Sequence, residues 1–306
     1  MDLQRRIVDR DGELLLFAVT PPRSSTDPEA ARRIAEVTAE RLRPLGLDGL
    51  IVYDIDEESD RNAGPRPFPF LPTMDPATYR EDQLRDWPTP VVVYRATAKY
   101  DEEELRGWLR RQAPDRVLSV FVGASSRDRD VSLTLGRAWE VRRETSPDLL
   151  LGGVAIPERH SADREEHLRL LAKQEAGCSF FVTQVVYNVD AAKTLVSDYV
   201  HECAARGLRP VPVVLTFSVC GSMKTLAFLR WLGVDVPGWI ENDLRYAQDT
   251  LETSLDHARS AALDLIAFGR RIGLPLGINV ESVSIRKVEI DASVRLAREV
   301  GAHLAR

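Results

Sequence analysis

Two apolar runs decide the fold: LLLGGVAI at residues 149–156 and FFVTQVV at residues 180–186. Near-continuous apolar runs are typical of strands buried on both faces, as in a parallel sheet covered by helices. Between them, residues 163–176 repeat leucines and alanines at helical spacing, and Gly177 follows as a natural helix stop. This stretch therefore predicts one β–α–β unit with polar groups at the carboxyl ends of both strands.

The same alternation of strand and helix extends outward to both ends of the chain. Predicted strands cover residues 13–20, 49–54, 90–94, 117–122, 149–156, 179–186, 209–216 and 274–280. Predicted helices include residues 28–43, 101–111, 131–143, 163–176, 190–206, 225–232, 242–271 and 292–305. Eight strands alternating with helices predict a (β/α)8 TIM barrel forming a single α/β domain over residues 1–306. An open, doubly wound sheet is the alternative.

One loop is longer than the rest. Residues 55–74, after the second predicted strand, are polar and rich in proline, and they contain the run PRPFPF at residues 65–70. Long loops inside compact domains are usually functional or disordered. Because aromatic residues alternate with prolines here, we expect this loop to pack down onto the barrel as a lid.

The composition is that of an ordinary water-soluble protein. The net charge is −6 and no long Lys/Arg run is present, which argues against a nucleic-acid or anionic-membrane partner. No apolar run approaches transmembrane length. The three cysteines are far apart and have no CxxC or His-rich companion, so neither a disulfide framework nor a structural zinc site is predicted. We expect a reduced, cytoplasmic protein without a metal; a homo-oligomer is left open.

Polar residues cluster at the predicted carboxyl ends of the strands, where the active site of such a barrel forms. These residues are Thr20, Asp54, Asp56, Tyr94, Arg95, Gly123, Glu158, His160, Gln184, Thr216, Asn279 and Glu281. Carboxylates suit acid–base chemistry and amides suit the edge of a heterocycle. No GxGxxG, Walker, HExxH or GxSxG motif is present. A nucleotide site would therefore use loop backbone with Arg159, His160 and Lys173.

Several of these residues also have a purely structural interpretation. Lys173 follows acidic residues on its predicted helix and fits a solvated face. His160 fits a helix cap, and Asp54, Asp56 and Glu57 fit an exposed acidic loop. Gln184, at the end of a buried strand, is harder to explain this way because a buried amide needs hydrogen-bond partners.

A set of short motifs, in order along the chain, resembles the methylenetetrahydrofolate reductase family. Residues 17–23 (FAVTPPR) resemble the family's Phe-Glu-Phe-Phe-Pro-Pro-Arg, and residues 155–160 (AIPERH) resemble its Tyr-Pro-Glu-x-His turn. Residues 173–177 (KQEAG) with 182–184 (VTQ) resemble Lys-x-Asp-Ala-Gly followed by Ile-Thr-Gln. Residues 213–215 and the loop GVDVPGW at 233–239 complete the series. The family fold is a (β/α)8 barrel.

The resemblance implies reduction of the methylene bridge of methylenetetrahydrofolate to a methyl group. NAD(P)H supplies the hydride, usually through bound FAD, and a flavin-independent branch transfers it directly. The resemblance assigns Gln184, with Thr183 and Glu158, to the folate. It assigns the cofactor side to five residues: His160, Lys173, Gly123, Tyr94 and Arg159.

The chain departs from the family pattern at its acids. Ala18 stands where the family has its catalytic Glu, and Ala124 where it has an Asp near the flavin and folate. Tyr94 replaces a flavin-side His and Ile156 replaces a Tyr, so flavin contacts are largely missing and FAD use is left open. By their position at predicted strand ends, the candidate replacement acids are Asp54, Asp56, Glu57 and Glu281.

Three functions are consistent with this pattern. The first is a divergent reductase acting on a methylene-pterin with NAD(P)H, which the retained Pro-Glu-x-His turn, Lys173 and Gln184 favour. The second is a non-catalytic folate-binding or regulatory barrel, which the missing Glu and Asp favour. The third is a barrel enzyme of different chemistry, since one fold supports many reactions. We predict the first.

Overall fold

Eight parallel strands close into a barrel in chain order, with the last strand paired to the first. The computed structural model describes residues 3–57, 62, 64–123 and 131–305. The strands are β1 (Leu14–Val19), β2 (Gly49–Val52), β3 (Val91–Ala96), β4 (Val117–Val122), β5 (Leu151–Ala155), β6 (Cys178–Val185), β7 (Val213–Ser218) and β8 (Leu276–Glu281). This closure confirms the predicted (β/α)8 barrel and excludes the open sheet.

The described residues form twelve α-helices, most of them outside the barrel. They are α1 (Leu3–Asp9), α2 (Pro28–Leu42), α3 (Pro76–Gln83), α4 (Glu102–Arg111), α5 (Leu135–Thr145), α6 (Pro157–Asp163), α7 (Glu166–Glu175), α8 (Val189–Ala205), α9 (Met223–Trp231), α10 (Gly238–Tyr246), α11 (Thr250–Ile272) and α12 (Lys287–Gly301). Aspartates cap several of them, as at Asp27 and Asp249, whose carboxylates accept first-turn N–H groups. None of the described helices has the length and apolar character needed to cross a bilayer.

Side chains alternate along each strand between the barrel interior and the helical layer. The interior is one apolar cluster with contributions from most of the strands, such as Leu16, Val92, Val120 and Val214. Their neighbours one residue along the chain pack outward in the larger cluster beneath the helices. This alternation decides which residues at the carboxyl ends of the strands face the mouth of the barrel.

Helix α1 covers the end of the barrel that is formed by the amino ends of the strands. Leu3 and Ile7 are buried in the interior cluster, and Arg6 pairs with Asp48 and donates to the carbonyl oxygen of Glu13. The sequence did not predict this helix, because seven residues carry too few apolar positions to show a period. It covers the amino end of the barrel, with Leu3 and Ile7 packed into the interior cluster.

One predicted turn is helical, and one predicted helix is divided in two. The segment predicted as a turn and one helix forms α6 and α7, separated at Arg164, whose φ of 56° is left-handed. The predicted helix 242–271 is interrupted at Ala247, and Asp249 caps the next helix, α11. The seventh strand begins at Val213 rather than at residue 209, since Pro210 and Pro212 lack the N–H that pairing requires.

The long loop after β2 packs down, as expected. We call its described part beyond the gap, residues 64–74, the strap. The indole Nε1 of Trp231 on α9 donates to the carbonyl oxygen of Gly64 at 2.9 Å, and Phe68 packs edge-on against Phe228 with ring centroids 5.4 Å apart. Residues 58–61 and 63 lie outside the described residues. Since α9 follows β7, the contact between Trp231 and Gly64 joins the loop after β2 to the helix after β7.

The strap has two further attachments. The guanidinium of Arg66 lies 5.2 Å from the ring centroids of both Phe228 and Trp231, within the range of cation–π attraction. At its far end, Met74 N donates to the carbonyl oxygen of Pro22 at 2.8 Å. The strap is thus held on both sides of the mouth; whether it moves as a lid stays a prediction.

Candidate functional site

The mouth of the barrel is lined by inward-facing residues at or near the carboxyl end of each strand. Continuing the alternation described above, these positions are Ala18, Tyr53, Tyr94, Val122, Val154, Gln184, Ser218 and Glu281. Most of this ring is apolar or aromatic. Of the polar strand-end candidates that the sequence offers, only Tyr94, Gln184 and Glu281 belong to it.

A hydrogen-bonded network occupies the side of the mouth where β8 meets β1 and β2. The Tyr53 hydroxyl lies 2.5 Å from Oε2 of Glu281. Asn279, one layer deeper on β8, donates from Nδ2 to that hydroxyl at 3.2 Å and to Thr216 Oγ1 at 3.3 Å. Because the tyrosine oxygen accepts from Asn279, its own proton is directed at Glu281. The network therefore fixes the position of one carboxyl group at the mouth.

The environment of Glu281 changes its acidity. Burial raises the pKa of Glu281 to about 7, and the hydrogen bond from Tyr53 opposes that rise. Burial and the neighbouring Glu281 also raise the pKa of Tyr53 well above its ordinary value. Glu281 nevertheless keeps partial exposure at the mouth. A ligand in the mouth can thus reach a carboxyl group that is about half protonated at neutral pH.

The pairing of β1 with β8, which closes the barrel, determines which residue lies beside Glu281. Ala18 of β1 lies directly opposite Glu281 of β8 in the parallel pairing. Ala18 is the position at which the resembling family has its catalytic Glu, and both positions face the interior. A carboxyl group missing from one strand is therefore present on its hydrogen-bonded neighbour.

The other candidate acids have different surroundings. Asp54 is buried, and its carboxylate accepts from Ala96 N at 2.8 Å, Lys99 Nζ at 2.5 Å and the Tyr100 hydroxyl at 2.7 Å. These bonds fasten the end of β2 to the turn after β3, so Asp54 is engaged as a structural carboxylate. It does not join Glu281 at the mouth.

Asp56 and Glu57 lie farther along the same loop. Asp56 is half-buried and its Oδ1 accepts from the backbone N–H of Glu57 at 2.9 Å, while Glu57 is exposed. The structure does not bring either carboxylate into the hydrogen-bonded network of Tyr53 and Glu281 as described above. Their catalytic role stays a prediction.

Of the three residues assigned to the folate, Gln184 is the one that faces the mouth. Its Nε2 donates to the carbonyl oxygen of Leu232 at 3.1 Å and it is half-buried. Thr183 faces outward, and its Oγ1 accepts from Thr216 N at 2.9 Å where the β6–β7 pairing is irregular. Glu158 accepts from Asp235 N at 3.2 Å and connects α6 to the loop after α9. Thr183 and Glu158 thus have structural contacts.

Two residues assigned to the cofactor lie behind the barrel wall. His160 is buried, with Nε2 3.0 Å from Asp198 Oδ2 on α8. Lys173 donates from Nζ to the carbonyl oxygen of Val154 at 2.5 Å, and burial lowers its pKa. The interpretation of Lys173 as a solvated surface group is therefore wrong: its side chain supports the end of β5.

The other three residues assigned to the cofactor are Tyr94, Arg159 and Gly123. Tyr94 fills the interior at the end of β3, edge-on to Tyr53 with ring centroids 4.9 Å apart. Arg159 is exposed on α6. Gly123 directly follows β4 and precedes residues 124–130, which include Ala124 and lie outside the described residues. Since His160 and Lys173 have protein partners and Tyr94 occupies the flavin-side position, the residues present do not fit FAD in the way that the resemblance implies.

Sequence reasoning missed Tyr53 and the role of Asn279. Tyr53 follows the apolar run of β2 and looked like one more core residue. The available signal was its spacing, because Ile51 and Tyr53 lie on the same face of the strand and Ile51 points inward. Its contact with β8 depends on barrel closure, which no local pattern contains.

Comparison with known proteins identifies a family and a relative that matches the chain over its full length. A model of the methylenetetrahydrofolate reductase family matches residues 140–272. A solved structure from Clostridium thermocellum is 40% identical with a TM-score of 0.87, covering 98% of this chain and 99% of that one. That protein is described as uncharacterized and as binding two copies of 5-methyl-5,6,7,8-tetrahydrofolic acid. No curated protein matches the chain.

More distant structures share the fold alone. Dihydropteroate synthase from Xanthomonas albilineans, solved with 4-aminobenzoic acid, is 12% identical with a TM-score of 0.50, covering 96% of this chain and 94% of that one. EDTA monooxygenase from Chelativorans sp. BNC1 is 11% identical with a TM-score of 0.52 and the same coverages. The ordered motifs, the closed barrel, the matching family model and the full-length relative lead to one conclusion: this chain belongs to the methylenetetrahydrofolate reductase family.

Proposed function

We propose that this protein binds a reduced folate at the carboxyl end of the barrel and reduces its methylene bridge to a methyl group with NAD(P)H. In this proposal Glu281 is the proton donor. The observation that carries it is the pairing of Ala18 with Glu281, which keeps a carboxyl group beside the position of the family's catalytic Glu. The relative's ligand, a 5-methyl folate, is the product that such a reduction would form.

The proton is needed at the start of the reaction. Protonation of one bridging nitrogen lets the methylene bridge open to an iminium ion, which then accepts a hydride at carbon. An ordinary Glu, with a pKa of about 4.3, is almost fully ionised at neutral pH and donates poorly. A pKa of about 7 at Glu281 instead lies near the operating pH, where general acid catalysis is most efficient. Partial exposure at the mouth lets water return the proton.

The neighbouring groups hold the acid and the ligand. Tyr53 and Asn279 keep the Glu281 carboxyl in one orientation through the bonds described above. Gln184 faces the same mouth and offers an amide to the donor and acceptor edge of a pterin. Reduced nicotinamide supplies the hydride that converts the methylene carbon to a methyl group. The proton from Glu281 stays on the nitrogen that is released when the bridge opens.

We further propose that the reaction proceeds without a flavin. This rests on the engagement of His160 with Asp198 and of Lys173 with the Val154 carbonyl. The resemblance assigns both residues to the cofactor side, and both have partners within the protein. The family's flavin-independent branch is the closer chemical parallel.

A second candidate function is a folate-binding barrel without catalysis. Ala18 at the position of the family's acid favours it, and the description of the full-length relative reports binding alone. The two candidates differ in one measurable property, since only the reductase oxidises NAD(P)H when a methylene folate is present.

The decisive experiment is anaerobic oxidation of NADH and of NADPH with methylenetetrahydrofolate, with and without added FAD. We expect turnover without FAD, and a loss of about 100-fold or more in Glu281→Gln, in line with general acid catalysis. Asp56→Asn is the matched control, because it removes a half-buried carboxylate outside the network. Turnover that is lost in Asp56→Asn and kept in Glu281→Gln would assign the acid elsewhere.

Binding is measured separately by calorimetric titration with 5-methyltetrahydrofolate. Glu281→Gln is expected to retain binding, since an amide can replace the protonated carboxyl group in size and hydrogen bonding. Gln184→Ala is expected to weaken it by roughly 10-fold, the loss of one or two hydrogen bonds. Binding without any NAD(P)H oxidation would support the non-catalytic barrel.

A further inference from the structure

Three helices outside the barrel bring two histidines and an aspartate together. His160 lies on α6, His167 on α7 and Asp198 on α8. One nitrogen of each imidazole and one carboxylate oxygen of Asp198 all lie within 4.8 Å of one another. The two rings pack edge-on with centroids 5.2 Å apart. The proposed reduction uses none of these three side chains.

The histidines carry unused nitrogen atoms. The Nδ1 atoms of both His160 and His167 are buried and have no hydrogen-bond partner among the described residues. His160 as a whole is only 1% exposed. Leaving a buried polar atom unpaired costs about 1–3 kcal/mol, so such atoms in a folded protein call for an explanation. A neutral imidazole nitrogen is also the commonest protein ligand of a transition metal.

The connection between α6 and α7 contains a residue in an unfavourable backbone conformation. Helix α6 ends at Arg164, which takes the left-handed conformation with φ 56° and is not a glycine. Such a residue is disfavoured by about 1–2 kcal/mol. The tight connection allows α7 to begin at Glu166 and places His167 beside His160, one short turn later.

We propose that His160, His167 and Asp198 form a binding site for a divalent transition-metal ion of the zinc type. Two nitrogen donors and one carboxylate match the ligands of Zn²⁺, whereas Mg²⁺ and Ca²⁺ prefer oxygen alone. A tetrahedral zinc ion holds its ligand atoms roughly 3.3 Å apart, so side-chain movements of roughly 1–2 Å would close the site. Water takes the fourth position. The ion would cross-link α6, α7 and α8.

Arg164 competes with a metal ion for the carboxylate of Asp198. Its guanidinium donates to Asp198 Oδ2 at 2.9 Å, so that it competes for the same carboxylate. The Arg164 side chain is 69% exposed, and such an exposed pair contributes little and separates readily. A cation at this place both repels the metal and occupies one of its ligands. Its removal should therefore strengthen metal binding, an effect that a purely structural His–Asp pair would not produce.

The test uses the full-length protein, first stripped of metal with a chelator and then titrated with Zn²⁺ in a calorimeter. Co²⁺, followed by its visible absorption, reports the coordination geometry. We expect one equivalent to bind and to raise the melting temperature. His167→Ala and Asp198→Asn should each weaken Zn²⁺ binding by at least about 10-fold. Arg164→Ala should strengthen it by roughly 2- to 5-fold.

The control is a second His–Asp pair on the same protein. His257 Nε2 lies 3.1 Å from Asp243 Oδ2, and no third metal-ligating group joins them among the described residues. His257→Ala should leave Zn²⁺ binding unchanged. Circular dichroism of each apo variant verifies that it folds. Absence of one-equivalent binding, or equal binding in wild type, His167→Ala and Asp198→Asn, would overturn the proposal, whatever the outcome of the reductase assay.

Discussion

The Tyr53 hydroxyl donates a hydrogen bond to Glu281 over 2.5 Å, joining β2 to β8 across the amino-terminal strand of the barrel. Asn279 donates to the same hydroxyl and so orients its proton. Two opposing effects meet at this bond: burial favours the neutral form of Glu281, and the tyrosine favours the charged form. Their balance sets the pKa of the carboxyl group at about 7.

Tyr53→Phe should raise the pKa of Glu281 above 7, because it removes the donor that stabilises the carboxylate. If Glu281 acts as the acid, activity falls as pH rises through its pKa. Because the pKa is higher in the variant, this fall in activity should occur at higher pH. The measurement is kcat/KM for NAD(P)H oxidation against pH. Tyr94→Phe is the control, since its ring packs beside Tyr53 and no hydrogen bond joins it to Glu281 among the described residues. Equal profiles for both variants and wild type would contradict this role of Tyr53.

Glu281→Gln should stabilise the protein at high pH and leave it unchanged at low pH. The folded state raises the pKa of Glu281 from 4.5 to about 7, so between these values it binds more protons than the unfolded state. Stability therefore falls as pH rises through this window, by up to roughly 3 kcal/mol. Glutamine is neutral throughout and does not suffer this loss. Urea unfolding at pH 4 and pH 8 checks the prediction; an equal effect at both pH values would refute it.

Asp54→Asn should destabilise the fold by roughly 2–4 kcal/mol, because Lys99 loses its buried ionic partner and a hydrogen-bonded carboxylate becomes an amide. Asp56→Asn, two residues along and half-buried, should change stability by less than about 0.5 kcal/mol. Chemical denaturation of both variants at pH 7 makes the comparison. Similar small effects would mean that Asp54 is not the structural anchor of the turn after β3.

Trp231→Phe should loosen the strap while keeping an aromatic ring against it. The change removes the hydrogen bond from the indole Nε1 to the Gly64 carbonyl oxygen, worth about 1 kcal/mol. We expect faster hydrogen exchange in residues 64–70 and faster association and dissociation of 5-methyltetrahydrofolate in stopped-flow mixing. Trp239→Phe, at an indole that is 62% exposed, is the control and should alter neither. Unchanged rates in Trp231→Phe would show that the strap does not limit access.

Lys173→Met should lower stability without changing the KM for NAD(P)H. The ammonium group supports the Val154 carbonyl and lies 3.9 Å from the buried Glu166 carboxylate, so its removal should cost roughly 1–3 kcal/mol. Thermal unfolding and steady-state kinetics measure the two effects. A large rise in KM with unchanged stability would instead support the cofactor role that the resemblance assigns to Lys173.

The fold was predictable because each strand carries its own signal. The apolar runs at residues 149–156 and 180–186 need no knowledge of distant residues, and they predicted β5 and β6 to within a few positions. The position of Glu281 at a strand end likewise made it a candidate acid. Its raised pKa was beyond reach, since that depends on burial against strands far away in the sequence.

The surroundings of the other candidate residues were beyond reach for the same reason. Asp54 and Glu281 both lie at or just beyond predicted strand ends, and only the three-dimensional contacts reveal that Lys99 and Tyr100 engage Asp54. Likewise, Lys173 follows acidic residues on a helix, a pattern typical of an exposed surface. Its helical face meets β5, and this packing overrides the local pattern. Contacts between elements, rather than the elements themselves, distinguish Glu281 at the mouth from Asp54 and Lys173, which have partners within the protein.

Closure of the barrel makes the two ends of the polypeptide neighbours. Ala18 and Glu281 lie near opposite ends of the sequence, yet they face each other across a single ladder of hydrogen bonds. A carboxyl group can therefore be lost from the first strand and gained on the last strand during evolution with little change of its position in space. An alignment read column by column records such a change as a lost residue. On a circular sheet, residues should instead be compared by their angular position around the axis.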